Sequence, residues 1–192
     1  MTPAEVRAAA ATRHYEPKIL DNADRGDIAE EIVAGILAPD WKYCGGAWAG
    51  WDFEHRDGTR LQVKQGAVRQ TWRPAKKVRP PVFGIKAQTG YWAGSDWIPA
   101  PTPTRYADIY VFAWHGKRDE TCDHADPAQW RFHVVRTTAL PDTDTVSLPS
   151  LSGRRHTIRT PWRRPYRPHA TPNGERKRPP RSALSAASSP AA

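Results

Sequence analysis

Trp51-Asp52-Phe53-Glu54-His55-Arg56-Asp57-Gly58-Thr59-Arg60-Leu61-Gln62-Val63-Lys64 is the stretch on which the reading of this chain turns. It reads as two short strands around a tight turn, and it carries an acid, an amide oxygen and a lysine. Successive side chains of a strand point to opposite faces, so register decides whether the three meet. A two-residue Asp57-Gly58 loop pairs Arg56 with Thr59 and Asp52 with Val63, turning Asp52 away from Gln62 and Lys64. A three-residue loop, Arg56-Asp57-Gly58 with Gly58 left-handed in a bulge, pairs His55 with Thr59 and Asp52 with Gln62. Glycine suits a positive φ in either loop. The three-residue form is the expectation. It sets Asp52, Gln62 and Lys64 on one face, with Glu54 opposite Arg60 as a cross-strand ion pair. Such a trio could hold a metal ion against a phosphate.

Working outward, Thr2-Pro3-Ala4-Glu5 has the form of a capping box and predicts a helix near 3–12. Asp24 is the expected cap of a second helix, whose apolar stripe is Ile28, Ile32, Val33, Ile36 and Leu37, ended by Pro39. Glu30 falls at the edge of that stripe and could look toward whatever the helix covers. Strands are expected near 42–48, 50–55, 59–65, 82–87, 107–114 and 130–136, with a short helix from Gln65 to Trp72. The almost continuously apolar run Ala107–Trp114 suits a buried central strand. Residues 73–105 hold six prolines and are expected to be mostly irregular. Tyr91, Trp92 and Trp97 lie there among basic residues, a mixture that suits either base stacking or packing of a loop onto the sheet.

The formal net charge is +9 over 192 residues, and it is unevenly placed. From Gly153 to Ala192 ten Lys/Arg residues face the single acid Glu175, so this segment carries the whole excess and the body is neutral. A Pro/Arg/Ser-rich end of this kind is expected to be disordered and to favour polyanions through counterion release. The organisation expected is an N-terminal helix and lead-in over 1–22, an α/β domain over 23–150, and a basic tail over 151–192. Two cysteines, no long apolar run and no basic-then-apolar leader suggest a soluble, cytoplasmic protein with no membrane partner.

Asp52, nine residues, then Gln62-Val63-Lys64 resembles the active-site signature of the PD-(D/E)xK nucleases, the restriction-endonuclease-like superfamily. Gly26-Asp27-Ile28-Ala29-Glu30 is similar to the segment opening the preceding helix in several members. The run from Val63 to Trp72 looks like the lysine strand of a bacterial group, and 108–112 and 130–135 look like its later core strands. The resemblance spans roughly 24–140. It implies a central mixed β-sheet of about five strands flanked by helices, and a metal-dependent endonuclease cutting phosphodiester bonds in DNA. It further implies Mg²⁺, or Mn²⁺, held by Asp52, Gln62 and the Val63 backbone carbonyl. Lys64 would orient the attacking water and Glu30 would hold a metal-bound water. Gln62 departs from the family's usual acid and removes one negative charge; Glu54 is a possible auxiliary. Arg69, Trp72, Lys76, Lys77, Arg163 and Arg164 are the candidate nucleic-acid contacts, and a homodimer is possible because two-strand cutting often uses one. The competing readings are a nuclease-fold binding protein that no longer cuts, and a general nucleic-acid binder acting through its basic tail.

His115, Cys122 and His124, with Asp119, Asp123 and Asp126 nearby, match no closed four-ligand zinc spacing, and the segment is expected to be a polar loop after a strand. The chain has no Walker loop, Gly-x-Gly-x-x-Gly or Gly-x-Ser-x-Gly motif, which argues against nucleotide-dependent and serine-hydrolase chemistry.

Overall fold

The computed structural model describes residues 1–45, 49–72, 81–151, 153 and 156–159. The chain is α/β. Helix α1 (Pro3–Tyr15) starts on the expected capping box, Thr2 Oγ1 accepting from the Glu5 N–H while Glu5 accepts from the Thr2 N–H. It buries none of its side chains, and meets the next helix through His14 on Asp24 and the Tyr15 hydroxyl donating to Asp27. Helix α2 (Asn22–Leu37) is capped by Asp21, not Asp24: the Asp21 carboxylate accepts from the Ala23 and Asp24 N–H groups. That start brings the inward line of the helix to Arg25, Ala29, Ile32 and Val33, while Ile36, expected in the stripe, is exposed.

Ten strands follow among the described residues: β1 (Trp41–Tyr43), β2 (Phe53–His55), β3 (Arg60–Ala67), β4 (Val82–Gly84), β5 (Gln88–Ala93), β6 (Asp96–Thr104), β7 (Ile109–His115), β8 (Trp130–Arg136), β9 (Thr145–Ser147) and β10 (His156–Arg159). Six form one mixed sheet in the order β1-β2-β3-β7-β8-β10, with β3 and β7 parallel and every other pair antiparallel. The sheet has one strand more than expected. Asp108 starts the parallel pair: its carboxylate accepts from the Arg60 N–H and its own N–H donates to the Arg60 carbonyl, each at 2.8 Å. The ladder then runs unbroken from Leu61 opposite Ile109 to Ala67 opposite His115. The helix expected over 65–72 does not form, because this ladder keeps the backbone extended through Ala67.

A parallel pair needs a long crossover. Here it contains β4 and the β5–β6 ribbon, which corrects the expectation of an irregular 73–105 wherever that stretch is described. Pro99, Pro101 and Pro103 lie within β6. Its only ladder partner among the described residues is β5, so missing N–H groups facing away from β5 cost no ladder bond.

The two faces of the sheet are covered differently. Ala29, Ile32 and Val33 of α2 pack on Phe53, Leu61, Val63, Val111 and Phe132. Full burial of each large apolar side chain contributes roughly 1.5–3 kcal/mol. The opposite face, with Tyr110, Phe112 and Val135, is covered by Phe83 and Ile85 from the β4 region and by Val146, Leu148 and Leu151 around β9. Among the described residues an α-helix packs on one face of the sheet, and strands with a short 3-10 turn at Pro149–Leu151 cover the other. No helix among the described residues is long and apolar enough to cross a membrane.

Candidate functional site

The hairpin adopts the three-residue turn. His55 N–H donates to the Thr59 carbonyl and Gly58 N–H to the His55 carbonyl, both at 2.9 Å, and Gly58 has φ +87°. Phe53 stands opposite Leu61 and Glu54 opposite Arg60. The ladder stops there, because the Asp52 N–H also donates to the Leu61 carbonyl, at 2.9 Å, so the expected Asp52–Gln62 backbone pairing gives way to a bulge and the two residues meet through their side chains. Leu61 and Val63 point to α2, so Gln62 and Lys64 point to the other face.

Asp52 is 7 % exposed. Its Oδ2 accepts from the Val63 N–H and from Gln62 Nε2, each at 2.6 Å. Burial pushes its carboxyl up, against the downward pull of the Val63 N–H, the Lys64 charge and the Gln62 amide. Gln62 Nε2 also lies 3.4 Å from the Val63 carbonyl. The amide nitrogen therefore faces two oxygens, a carboxylate and a carbonyl. Since both neighbours are acceptors, the donor end of the amide belongs there.

Glu30 reaches the same neighbourhood from α2. Desolvation, and next the Asp52 charge, raise its carboxyl to about 7, while Tyr43 and Lys64 oppose the rise. The Tyr43 hydroxyl donates to Glu30 Oε2 at 2.9 Å. Tyr43 was not foreseen, because only the β1–β2 pairing carries it to α2. Two cavities share Lys64. One, about 510 Å³, is lined by Asp27, Glu30, Tyr43, the Val63 segment and Lys64; the other, about 250 Å³, by Gln62, Lys64, Lys86, Arg105 and Tyr110. Acids gather on one side of the lysine and bases on the other. Arg105 adds charge there, but its guanidinium already donates to the Ile85, Pro141 and Thr143 carbonyls.

The remaining candidates disperse. Glu54 is drawn to Arg60, at 3.6 Å, and the Arg60 guanidinium lies over the Trp51 ring at 3.7 Å. Arg69 donates to the Asp119 carbonyl at 2.9 Å, which fastens it to a loop. Trp72 is 62 % exposed. Lys76, Lys77, Arg163 and Arg164, with nearly all of the basic tail, lie outside the described residues.

Arg25 was also missed. It is 1 % exposed and donates to Gln65 and Gln70 side-chain oxygens, to Asn22 Oδ1 and to the Leu20 carbonyl. Burial lowers its affinity for a proton, and Asp21 opposes this. At the far end of β7, His115, Cys122 and His124 come together, all buried, with one ligand atom from each within 4.8 Å of the others. Burial lowers both imidazoles, His124 to about 4, and raises the Cys122 thiol. The clue available in the sequence was a strand-terminal histidine followed by Cys-x-His.

Comparison of the chain with protein-family models and with curated proteins finds no match.

Proposed function

We propose that this chain is a metal-dependent DNA endonuclease of the PD-(D/E)xK kind, with its centre at Asp52, Gln62, the Val63 carbonyl, Lys64 and Glu30. The observation that carries the reading is the position of the Gln62 amide nitrogen, donating to Asp52 and facing the Val63 carbonyl. A donor between two oxygens marks a place with the charge preference of a cation. If the amide turns over, its Oε1 joins the other two oxygens and completes a hard-donor set suited to Mg²⁺ or Mn²⁺. The bound ion would supply charge neutralisation at the scissile phosphate.

The chain's own groups have separable tasks. Asp52 and the Val63 carbonyl hold the cation, and Glu30 orients water on the acidic side. Lys64, on the border between the two cavities, stabilises charge on the phosphate and orients the attacking water. Lys86 extends the positive side along the path of a polyanion. The mixed sheet, with the acid on one hairpin strand and the lysine on the other, accords with a restriction-endonuclease-like core.

A second reading, a binding protein that keeps the fold but does not cut, is favoured by the same amide: it fills the cation's place with a neutral donor and removes one charge. One experiment separates them. Purified chain is incubated with supercoiled, linear and single-stranded DNA and Mg²⁺ or Mn²⁺, beside Lys64→Ala and Gln62→Glu. Cleavage by wild type that Lys64→Ala abolishes supports the nuclease. Cleavage only in Gln62→Glu supports the binding protein. Equal cleavage by wild type and Lys64→Ala removes the nuclease reading, because the activity is then a contaminant.

A further inference from the structure

His115, Cys122 and His124 lie at the opposite end of the β3–β7 pair from the turn of the hairpin, and the chemistry proposed for Asp52 does not use them. We propose that they form a separate zinc site, with a water molecule as fourth ligand. Nitrogen and sulfur donors suit zinc, whereas the oxygen set of the hairpin suits magnesium.

Two observations beyond the clustering point to a ligand. The first is the orientation of His115. Its Nε2 lies 3.1 Å from the Asp123 carbonyl and donates to it, so Nδ1 carries the lone pair and faces Cys122 Sγ at 3.9 Å. A ligating histidine is commonly held this way, with its other nitrogen tied to a backbone carbonyl. The second is His124. Its Nδ1 accepts from the Leu20 N–H at 3.0 Å, so the neutral ring carries its proton on Nε2. That nitrogen is buried and makes no hydrogen bond of acceptable geometry among the described residues, although the Arg69 carbonyl acts on the ring. Bonds of about 2.0 and 2.3 Å at a tetrahedral centre put nitrogen and sulfur roughly 3.5 Å apart, so the His115–Cys122 pair at 3.9 Å needs little closing, and all three ligand atoms already lie within 4.8 Å of one another.

The proton balance gives the proposal a signature. Zinc replaces the Cys122 thiol proton, which goes to solvent, one per ion. If zinc takes His124 Nε2, the ring proton moves to Nδ1, which then no longer accepts from Leu20. If zinc takes Nδ1, it displaces Leu20 directly. On either course the Leu20 N–H loses its acceptor.

The test uses the full chain carrying Asp52→Asn, so that the hairpin does not compete, and titrates it with Co²⁺ and then Zn²⁺. The expected result is one Co²⁺ per chain with a thiolate charge-transfer band and tetrahedral d–d absorption, displaced by Zn²⁺. One proton is released per ion, and the Leu20 amide loses protection from hydrogen exchange. The chain has only two cysteines, so the band must survive Cys44→Ser. Cys122→Ser should lose the band and at least the roughly 10- to 100-fold in affinity that loss of a ligand's supporting partner costs. Should Cys122→Ser fail to fold, Cys44→Ser still assigns the sulfur. Absence of stoichiometric binding, a spectrum without the thiolate band, or a band lost in Cys44→Ser overturns the proposal. The cluster would then be a packed polar knot holding the 18–20 segment to the sheet.

Discussion

The hairpin centre and the histidine–cysteine cluster belong to the same pair of parallel strands, yet they are built on opposite principles. At the hairpin the donors are oxygens, Glu30 and Lys64 line open cavities, and one local hairpin brings the Asp52 carboxylate onto the Gln62 amide. At the cluster the donors are nitrogen and sulfur, solvent is excluded, and three segments must converge: the end of β7, the loop at 122–124 and the lead-in at 18–20. An ion at the first would lie beside the open cavity of Glu30 and Lys64, with Asp52 itself buried. The second is part of the core, where an ion would act as a fastening. Arg25 stands between them, reaching Gln65 beside Lys64 while its charge also bears on both histidines.

The sharpest way to break the comparison is to remove one region and ask whether the other notices. Asp52→Asn should abolish Mg²⁺ binding at the hairpin and lower DNA cleavage by roughly a hundredfold or more, since several kcal/mol of charge stabilisation are lost. Co²⁺ binding at the cluster should stay within about twofold, a change too small to signify a lost contact. Isothermal titration with each metal checks both arms; parallel losses would mean that the two regions are one unit. Next in size, Arg25→Met leaves acceptors on Gln65, Gln70, Asn22 and Leu20 without their donor. The expected destabilisation is about 3 kcal/mol in a urea melt, with Arg25→Lys recovering only part. A loss below about 1 kcal/mol would show that those amides find water instead.

The contrast also explains what could be read in advance. The three-residue turn and the Glu54–Arg60 pairing were legible because a hairpin is local and turn length fixes register, whereas the bulge that ends the ladder at Asp52 was not. The capping box at Thr2 was legible for the same reason. Asp21 was passed over in favour of Asp24 because both are good caps, and only the burial of Arg25 and Ala29 chooses between them. The β5–β6 ribbon was missed because prolines lower strand propensity, an objection that lapses where a strand has a free edge. The cluster was set aside because spacing describes ligands on one segment, whereas this set is assembled by the β3–β7 ladder and by Leu20. The burial of Arg25 was unreadable in principle, since two of its partners, Gln65 and Gln70, lie forty or more positions away in the sequence.

A smaller effect sharpens the character of the hairpin. Gln62→Glu restores a second acid beside Asp52, so two carboxylates must share a buried site. Without metal the variant should be less stable than wild type and the pair should titrate together. With Mg²⁺ the order should reverse, the added charge contributing roughly tenfold in affinity, about 1.4 kcal/mol. Melts with and without the ion measure both. A variant destabilised equally in the two conditions would show that the amide position is structural and no part of a cation's shell.

The smallest effect separates the regions by sign. Glu30 titrates at about 7 in the folded chain against 4.5 for the ordinary group. Between those values the folded state holds a proton that the unfolded state has released, so this group's contribution to stability falls as pH rises through the window and is lowest above 7. Asp52, also raised, acts in the same direction. His124 titrates at about 4 against 6.5. There the unfolded state holds the extra proton, so its contribution rises with pH from about 4 to 6.5 and is lost on acidification. The two regions therefore oppose each other across the same weakly acidic range, and the wild-type profile should be flatter than either alone. Glu30→Gln removes the Glu30 share of the hairpin's side, leaving that of Asp52. Its stability, followed by urea midpoint from pH 4.5 to 7.5, should rise more steeply with pH than that of wild type, while Mg²⁺ affinity should lose its increase through pH 7. Parallel stability profiles in the two proteins would place the Glu30 carboxyl in ordinary solvent, outside the influence of Asp52, and would detach α2 from the hairpin centre.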